Sequence, residues 1–361
     1  MSHTLRNLLV AIRHCEEHGS VKKITERPSL FMYLKDHERF DMARETYYGH
    51  DEHSLSVFDW RMQHASLTGF YGSSPPFFLE NAPVSLEEWR ELEKKAVTMT
   101  EGFAEGDYLL DRIDTWLMES YSLKGICEAA TGDVVLDCGA FTGNTSLYFS
   151  RKVGPEGHVY SFEPLLNSFS LLSRNLRRVP NATPFFYAVS DKPGIVRFSL
   201  PPSQQSAAAS ISESGSEVKS ISLDAFVKKN RIPKVDFIKM DIEGGEGDAL
   251  CGAAETIHTF RPKMALSAYH KFYDLVDLPE QVLSIDPGYV FYLKHFSVDL
   301  SETVLFCVPQ KETVLPGNRK YPDYVMDGED RAELMNWIGK TGAQIWDSYV
   351  TLVDHTLNRP V

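Results

Sequence analysis

Residues 134–146 read VVLDCGAFTGNTS, and no other stretch limits the possible folds so sharply. A short apolar run closes on Asp137, Gly139 and Gly143 follow, and a polar helix start comes next. A strand ending in a carboxylate, then a glycine turn that opens a helix, is how α/β domains seat nucleotide-like ligands. Glycine lets backbone approach a ligand because no Cβ stands between them. The helix N-terminus then presents free N–H groups to an anionic part of that ligand.

The spacing separates two ligand classes. A dinucleotide site uses G-x-G-x-x-G and would repel its own pyrophosphate if an acid stood inside it. Here the pattern is D-x-G-x-x-x-G, and a carboxylate at the strand end suits a ligand with a cationic part, such as the amino group of S-adenosylmethionine. A second β-rich run, HVYSFE at 158–163, ends in Glu163 and then Pro164. An acid at that strand end accepts both ribose hydroxyls. Asp137 or Glu163 alone would be an ordinary strand-ending acid. In register within one β-α-β unit, they bracket a cofactor from adjacent strand tips.

The bulk composition removes other classes. A net charge of −13 disfavours a nucleic-acid partner, because phosphate neutralisation dominates such binding. The five cysteines, Cys15, Cys127, Cys138, Cys251 and Cys307, are scattered and form no C-x-x-C pair. They read as reduced thiols of a cytoplasmic protein and not as a disulfide frame or zinc site. No run approaches the roughly 18 apolar residues of a membrane span. The N-terminal LRNLLVAI is short, lacks a small-residue cleavage site and reads as core helix.

Along the chain, residues 1–105 alternate charges with aromatics such as Phe31, Tyr33, Phe40 and Trp60. They read as a mainly helical extension that covers the active site, shapes the acceptor pocket or mediates homo-oligomerisation. SLEEWRELEKKAV opens with Ser85 followed by Glu88, a capping-box pattern. Residues 106–310 read as the cofactor-binding domain. A helix is expected over 108–121, strands at 134–137, 158–163 and 183–189, and helices at 144–152 and 165–178. IVRFSL follows Gly194 as a hairpin strand. The small, polar segment at 201–217 reads as a surface loop or a flap over the site. Further strands are expected at 218–223, 235–241 and 263–268, with a helix from Gly245 to about His258. Strands at 288–295 and 303–308 lie too close in sequence for a parallel crossover, so they pair antiparallel. A parallel sheet finished by an antiparallel pair is the Rossmann-like layout of class I methyltransferases. Residues 311–361 read as a helical tail packing back on the domain.

Residues 236–253, DFIKMDIEGGEGDALCGA, form a second constellation. Asp241 stands at the strand end and Glu243 two residues on, so both side chains face one side. Like charges that close need a cation between them, or a proton on one. His270, after MALSAY, falls at the tip of a strand expected beside that of Asp241. Histidine can act as a base near neutrality. It can also join Asp241 and Glu243 in a site of oxygen and nitrogen ligands suited to Mg²⁺ or Mn²⁺. Lys239 shares the Asp241 face and is expected to pair with an acid, and Lys271 reads as a surface lysine. Phe141 and Asn144 are expected to border the methionine part of the cofactor, with Ser146 capping or touching it. Ala188 and Val189 are expected to flank the adenine, with Asp191 near its amino group.

Taken in order, D-x-G-x-x-x-G-x-x-S, F-E-P, S-L-D, K-M-D-I-E-G-G-E and A-Y-H-K resemble the FkbM family of S-adenosylmethionine-dependent methyltransferases, over about Asp133 to Val308. The resemblance implies methyl transfer to a hydroxyl oxygen of a sugar, polyketide or other specialised metabolite. It also implies Asp137, Gly139, Gly143 and Glu163 as cofactor contacts. Gly247 departs from the family, where a larger residue is usual. An N-methyltransferase of a small molecule or peptide, and a non-catalytic cofactor-binding partner of a biosynthetic enzyme, are the rival readings. The clustered acids weigh against the second rival, and Asp137 together with the lack of G-x-G-x-x-G weighs against a nicotinamide oxidoreductase.

Overall fold

The computed structural model describes residues 3–20, 29–72, 75–199, 210–211, 216–310, 329, 332–334 and 336–337. They fall into two compact units that divide between Ser85 and Leu86.

The first unit is helical. Its described helices are His3–Glu17, Ser29–Lys35, His37–Ala43 running into a wider π-turn at Arg44–Tyr48, Glu52–Tyr71 and Pro76–Glu80. Asp51 starts the long helix by accepting the Ser54 amide at 2.8 Å, as an N-cap side chain does. The core is aromatic, with Phe40, Tyr48, Phe58 and Phe78 fully buried. Arg44 is half of a two-pronged pair with Asp59, both bonds 2.8 Å. Of the tail, described residues 332–334 and 336–337 are helical. They group with this unit, where Glu333 takes both prongs of Arg13. The rest of the expected tail helix lies outside the described residues.

The second unit carries the sheet. Its strands are β1 Val134–Cys138, β2 His158–Phe162, β3 Ala182–Phe185, β4 Ala188–Val189, β5 Gly194–Ser199, β6 Ser210–Ile211, β7 Ser216–Ile221, β8 Phe237–Met240, β9 Lys263–Ser267, β10 Tyr289–His295 and β11 Thr303–Pro309. Seven of them order as β10-β11-β9-β8-β1-β2-β3. The pairs from β9 through β3 are parallel, while β11 runs antiparallel to both β9 and β10. The expected mixed sheet is therefore present. Parallel strands covered on both faces are mostly apolar, and β8, FIKM, is buried at every residue, Lys239 included.

Register is what builds the site. Cys138 pairs with Phe162 on one side and with Met240 on the other. The next residues, Gly139, Glu163 and Asp241, therefore leave three neighbouring strands at one level. The amide of Gly139 donates to Phe162 O at 3.0 Å, and that of Asp241 to Cys138 O at 3.0 Å.

Four expectations change in detail. The strand expected at 183–189 is two: β3 ends at Phe185, a tight turn follows in which Tyr187 N donates to Phe185 O at 3.1 Å, and β4 joins a second sheet, β4-β7-β5-β6. The helix expected from Gly245 to His258 is also two, Glu246–Cys251 and Ala254–Phe260. Between them Gly252 lies so close to Ser190 that an added Cβ would come within 2.1 Å of its carbonyl oxygen. The helix expected over 108–121 shortens to Leu109–Asp111 and a π-turn at Arg112–Leu117. Finally, the units divide at 85/86 and not near 105, because Leu86–Thr98 and the loop after it pack on the sheet domain. Arg112 donates to the carbonyls of Ala96 and Met99, and Ala104 N to Asn144 at 2.9 Å. Most of the 201–217 segment, and with it the flap reading, lies outside the described residues.

Candidate active site

A cavity of about 560 Å³ opens at the carboxyl ends of the parallel strands, where open α/β sheets hold their ligands. Its described lining draws on the glycine turn after β1, the acid after β2, the start of the second sheet, the turn after β8 and the segment 108–121.

One end forms first from backbone. Gly139 has φ +80° and Phe141 φ +48°, both left-handed. An added Cβ on Gly139 would sit 1.8 Å from Asp241 O, so only glycine fits there. Glu163 accepts the amide of Phe141 at 3.0 Å and that of Leu165 at 2.8 Å. Burial outweighs those amides and raises its carboxyl to about 7. Pro164, Leu165, Ala188 and Val189 add apolar wall beside it.

Asp137 does not line this cavity. It is fully buried and accepts Thr145 Oγ1 at 2.8 Å and Ser146 Oγ at 2.6 Å. Lys239 Nζ approaches it to 3.5 Å and donates to Gly139 O at 2.6 Å. Burial opposes the Lys239 charge, but Asp137 and Asp241 raise its affinity for the proton. The expected pairing of Lys239 with an acid is thus observed, one strand over from where Asp137 was to meet a ligand. Gly143, at φ +105°, opens helix Asn144–Val153 behind the lining, and Ser146 is bonded inward. Asn144 reaches the lining, yet its Oδ1 also accepts Ala104 N and Trp116 Nε1.

The opposite end gathers Asp241, Glu243, Tyr121, Tyr269 and Glu302. Tyr121 donates to Asp241 at 2.9 Å, and Tyr269 reaches Glu302 at 3.2 Å. Burial opposes ionisation of Asp241, yet Lys239 and His270 hold its pKa below the usual carboxylate range. Glu243 stands at φ +57°, a left-handed conformation rare for a side chain of its size. Burial and the neighbouring Asp241 raise it to about 8.

His270 lies behind this end and not in its lining. Its Nδ1 is 3.0 Å from Glu246, and its Nε2 is 3.5 Å from Asp241 and 3.6 Å from Glu243. Burial would strip its proton, but Glu246 and then Asp241 and Glu243 raise it to about 9. The ring therefore holds its proton more firmly than an ordinary histidine. Of the residues expected to hold Mg²⁺ or Mn²⁺, Asp241 and Glu243 both approach the same ring nitrogen of His270, Nε2. Among the described residues, the acids and histidine whose donor atoms converge within 4.8 Å are Asp241, Glu246 and His270. Glu246 and Asp241 face opposite ring nitrogens, whereas one cation binds one nitrogen. Glu246 is also occupied by the Ile242 amide at 2.9 Å.

Asp191 is exposed beside Lys192 and outside the lining. Lys271 turns its amide to Asp274. Gln281 donates to Gly247 O at 2.6 Å, and Gly247 lies outside the lining. Asp111, Asp114, Tyr121 and Glu302 line the cavity and were not anticipated. Tyr269 stood beside His270 in the same quoted motif, and a two-residue period from Ser267 would have selected it. The others come from segments distant in sequence, with no local pattern to mark them.

Comparison with known proteins agrees with this geometry. The family model described as Methyltransferase FkbM domain matches residues 137–294. The hexuronic acid methyltransferase AglP of Haloferax volcanii is 31% identical over 134 residues, which is 37% of this chain and 54% of that protein. The chain thus spans about half the length of that relative. The crystal structure of methyltransferase FkbM from Methylobacillus flagellatus superposes with a TM-score of 0.52 at 22% identity, over 76% of this chain and 59% of that one. Over residues 137–294 the chain is similar to the FkbM methyltransferase domain, and the sheet that carries the glycine turn shares its fold with the Methylobacillus protein.

Proposed function

We propose that the chain transfers the methyl group of S-adenosylmethionine to a hydroxyl oxygen of a sugar or other specialised metabolite. One observation carries the reading: a single cavity joins a glycine turn and Glu163 at one end to a cluster of carboxylates and phenols at the other. The first end suits a nucleoside, the second an acceptor. The relative named as a hexuronic acid methyltransferase supports a sugar acceptor.

In this reading Glu163 accepts the ribose hydroxyls, while Phe141, Pro164, Ala188 and Val189 flank the adenosine. Asp241 takes the ammonium that Asp137, bonded inward, leaves unmet. Asp137, Gly143 and Ser146 act indirectly by fixing the helix start. Methyl transfer from a sulfonium is an in-line displacement, so catalysis is mostly alignment plus removal of the acceptor proton. The acceptor oxygen forms its bond to the methyl carbon as the carbon–sulfur bond breaks. The electron pair stays on sulfur, giving S-adenosylhomocysteine, and the hydroxyl proton passes to Glu243 in its ionised form, which the cationic donor favours. His270 keeps Asp241 and Glu243 in place as a fixed cation and is not the base.

Thermal shift tests the donor assignment, since a ligand that binds only the folded chain raises its melting temperature. S-adenosylhomocysteine should raise it and NAD should not; the reverse would refute the methyltransferase reading. A product methylated on nitrogen would favour the N-methyltransferase alternative, and a product of an amino sugar methylated on oxygen would exclude it.

A further inference from the structure

We infer that the acceptor carries a protonated amine near the hydroxyl that is methylated, as amino sugars and aminocyclitols do, and that it is not a uronate. This rests on the reading of the cavity given above and narrows its acceptor class.

The acceptor end offers oxygen and ring faces. Asp241, Glu243 and Glu302 share it with the rings and hydroxyls of Tyr121 and Tyr269. Carboxylates and aromatic faces are what an ammonium binds. A carboxylate ligand is held most strongly by a guanidinium fork or a lysine. Among the described lining residues the one basic side chain is Lys239, and its ammonium points away: it is 1% exposed and donates to Gly139 O from beneath the turn.

The methyl donor does not use up this negative field. Its sulfonium and ammonium bring two positive charges, and its own carboxylate returns one negative charge. Glu163 is assigned to the ribose, so Glu243 and Glu302 still face the acceptor. Crowding of like charge shows in Glu243, where burial and Asp241 together favour the proton; a bound cation relieves that state. A uronate would add another negative charge to the same end. The acceptor here therefore differs in charge from the hexuronic acid in the relative's name. The bound amine also stays protonated between carboxylates and lacks a lone pair, so oxygen remains the nucleophile.

The full chain, saturated with S-adenosylmethionine, is assayed at pH 7 and low ionic strength for release of S-adenosylhomocysteine. The probes are glucose and two sugars that each differ from it in one substituent, glucosamine and glucuronate. Glucosamine should exceed glucose at least tenfold in kcat/KM, with glucuronate slowest. Glu302→Gln should shrink the glucosamine-to-glucose ratio while the S-adenosylhomocysteine thermal shift stays as in the parent. Glucuronate as good as glucosamine, with or without added Mg²⁺, overturns the inference. So does a ratio that Glu302→Gln leaves unchanged. Loss of the S-adenosylhomocysteine shift in the parent protein would instead remove the methyltransferase reading itself.

Discussion

Glu163 spends both carboxylate oxygens on backbone amides and still faces the cavity. Hydroxyl donors from a ribose prefer the ionised form, and burial holds that carboxyl at about 7. Affinity for S-adenosylhomocysteine should therefore strengthen as pH rises from 6 to 8, measured by titration calorimetry. Glu163→Gln should weaken binding by about 10- to 100-fold, since a hydrogen bond to a charged group contributes about 1.5–3 kcal/mol, and should flatten the pH dependence. An unchanged slope in the variant would remove Glu163 from the cofactor site. Asp137 and Lys239 form a second residue-scale case. Both are buried, so removing one partner strands a charge, at a cost of about 3–5 kcal/mol. Lys239→Met should lower stability by about that much in denaturant melts. The double change with Asp137→Asn should recover part of the loss, and a strictly additive result would show that the pair is not coupled.

At the scale of elements, the glycine turn is the most constrained piece. Gly139→Ala meets both a left-handed φ and the carbonyl of Asp241. Strain there is on the order of 1–3 kcal/mol before the clash is counted. The variant should melt at lower temperature and lose S-adenosylhomocysteine binding; a parent-like melt would mean the turn can open. This turn was fully legible in the sequence, because its chemistry is local: a strand, an acid, two glycines, a helix start. The antiparallel finish was legible too, from the shortness of the connection between β10 and β11. What local pattern misses is tertiary. Asp137 reads as a ligand residue from its position, but only the register with Lys239 reveals that it is bonded inward. His270 reads as a base until Glu246, three residues beyond Glu243, is seen at its other nitrogen. Tyr121 lies 120 residues before Asp241, and no short motif connects them.

At the scale of the whole molecule, every described residue that lines the cavity falls within 86–310. A chain cut to those residues should keep its affinity for S-adenosylhomocysteine within about threefold. A larger loss, with the truncated chain still folded by circular dichroism, would assign part of the donor site to other segments. No described helix is long and apolar enough to cross a membrane.

The close approach of Gly139 to the Asp241 carbonyl reaches beyond the turn. It joins the edge of the cavity that holds Glu163 to the edge that holds Asp241, and Lys239 donates to the same turn. Their separation is then a property of the sheet, beyond the reach of loop motion. On the proposed reading, a change of acceptor would fall to the peripheral wall, around residues 108–121 and Glu302, and would leave the path of the methyl group as it is.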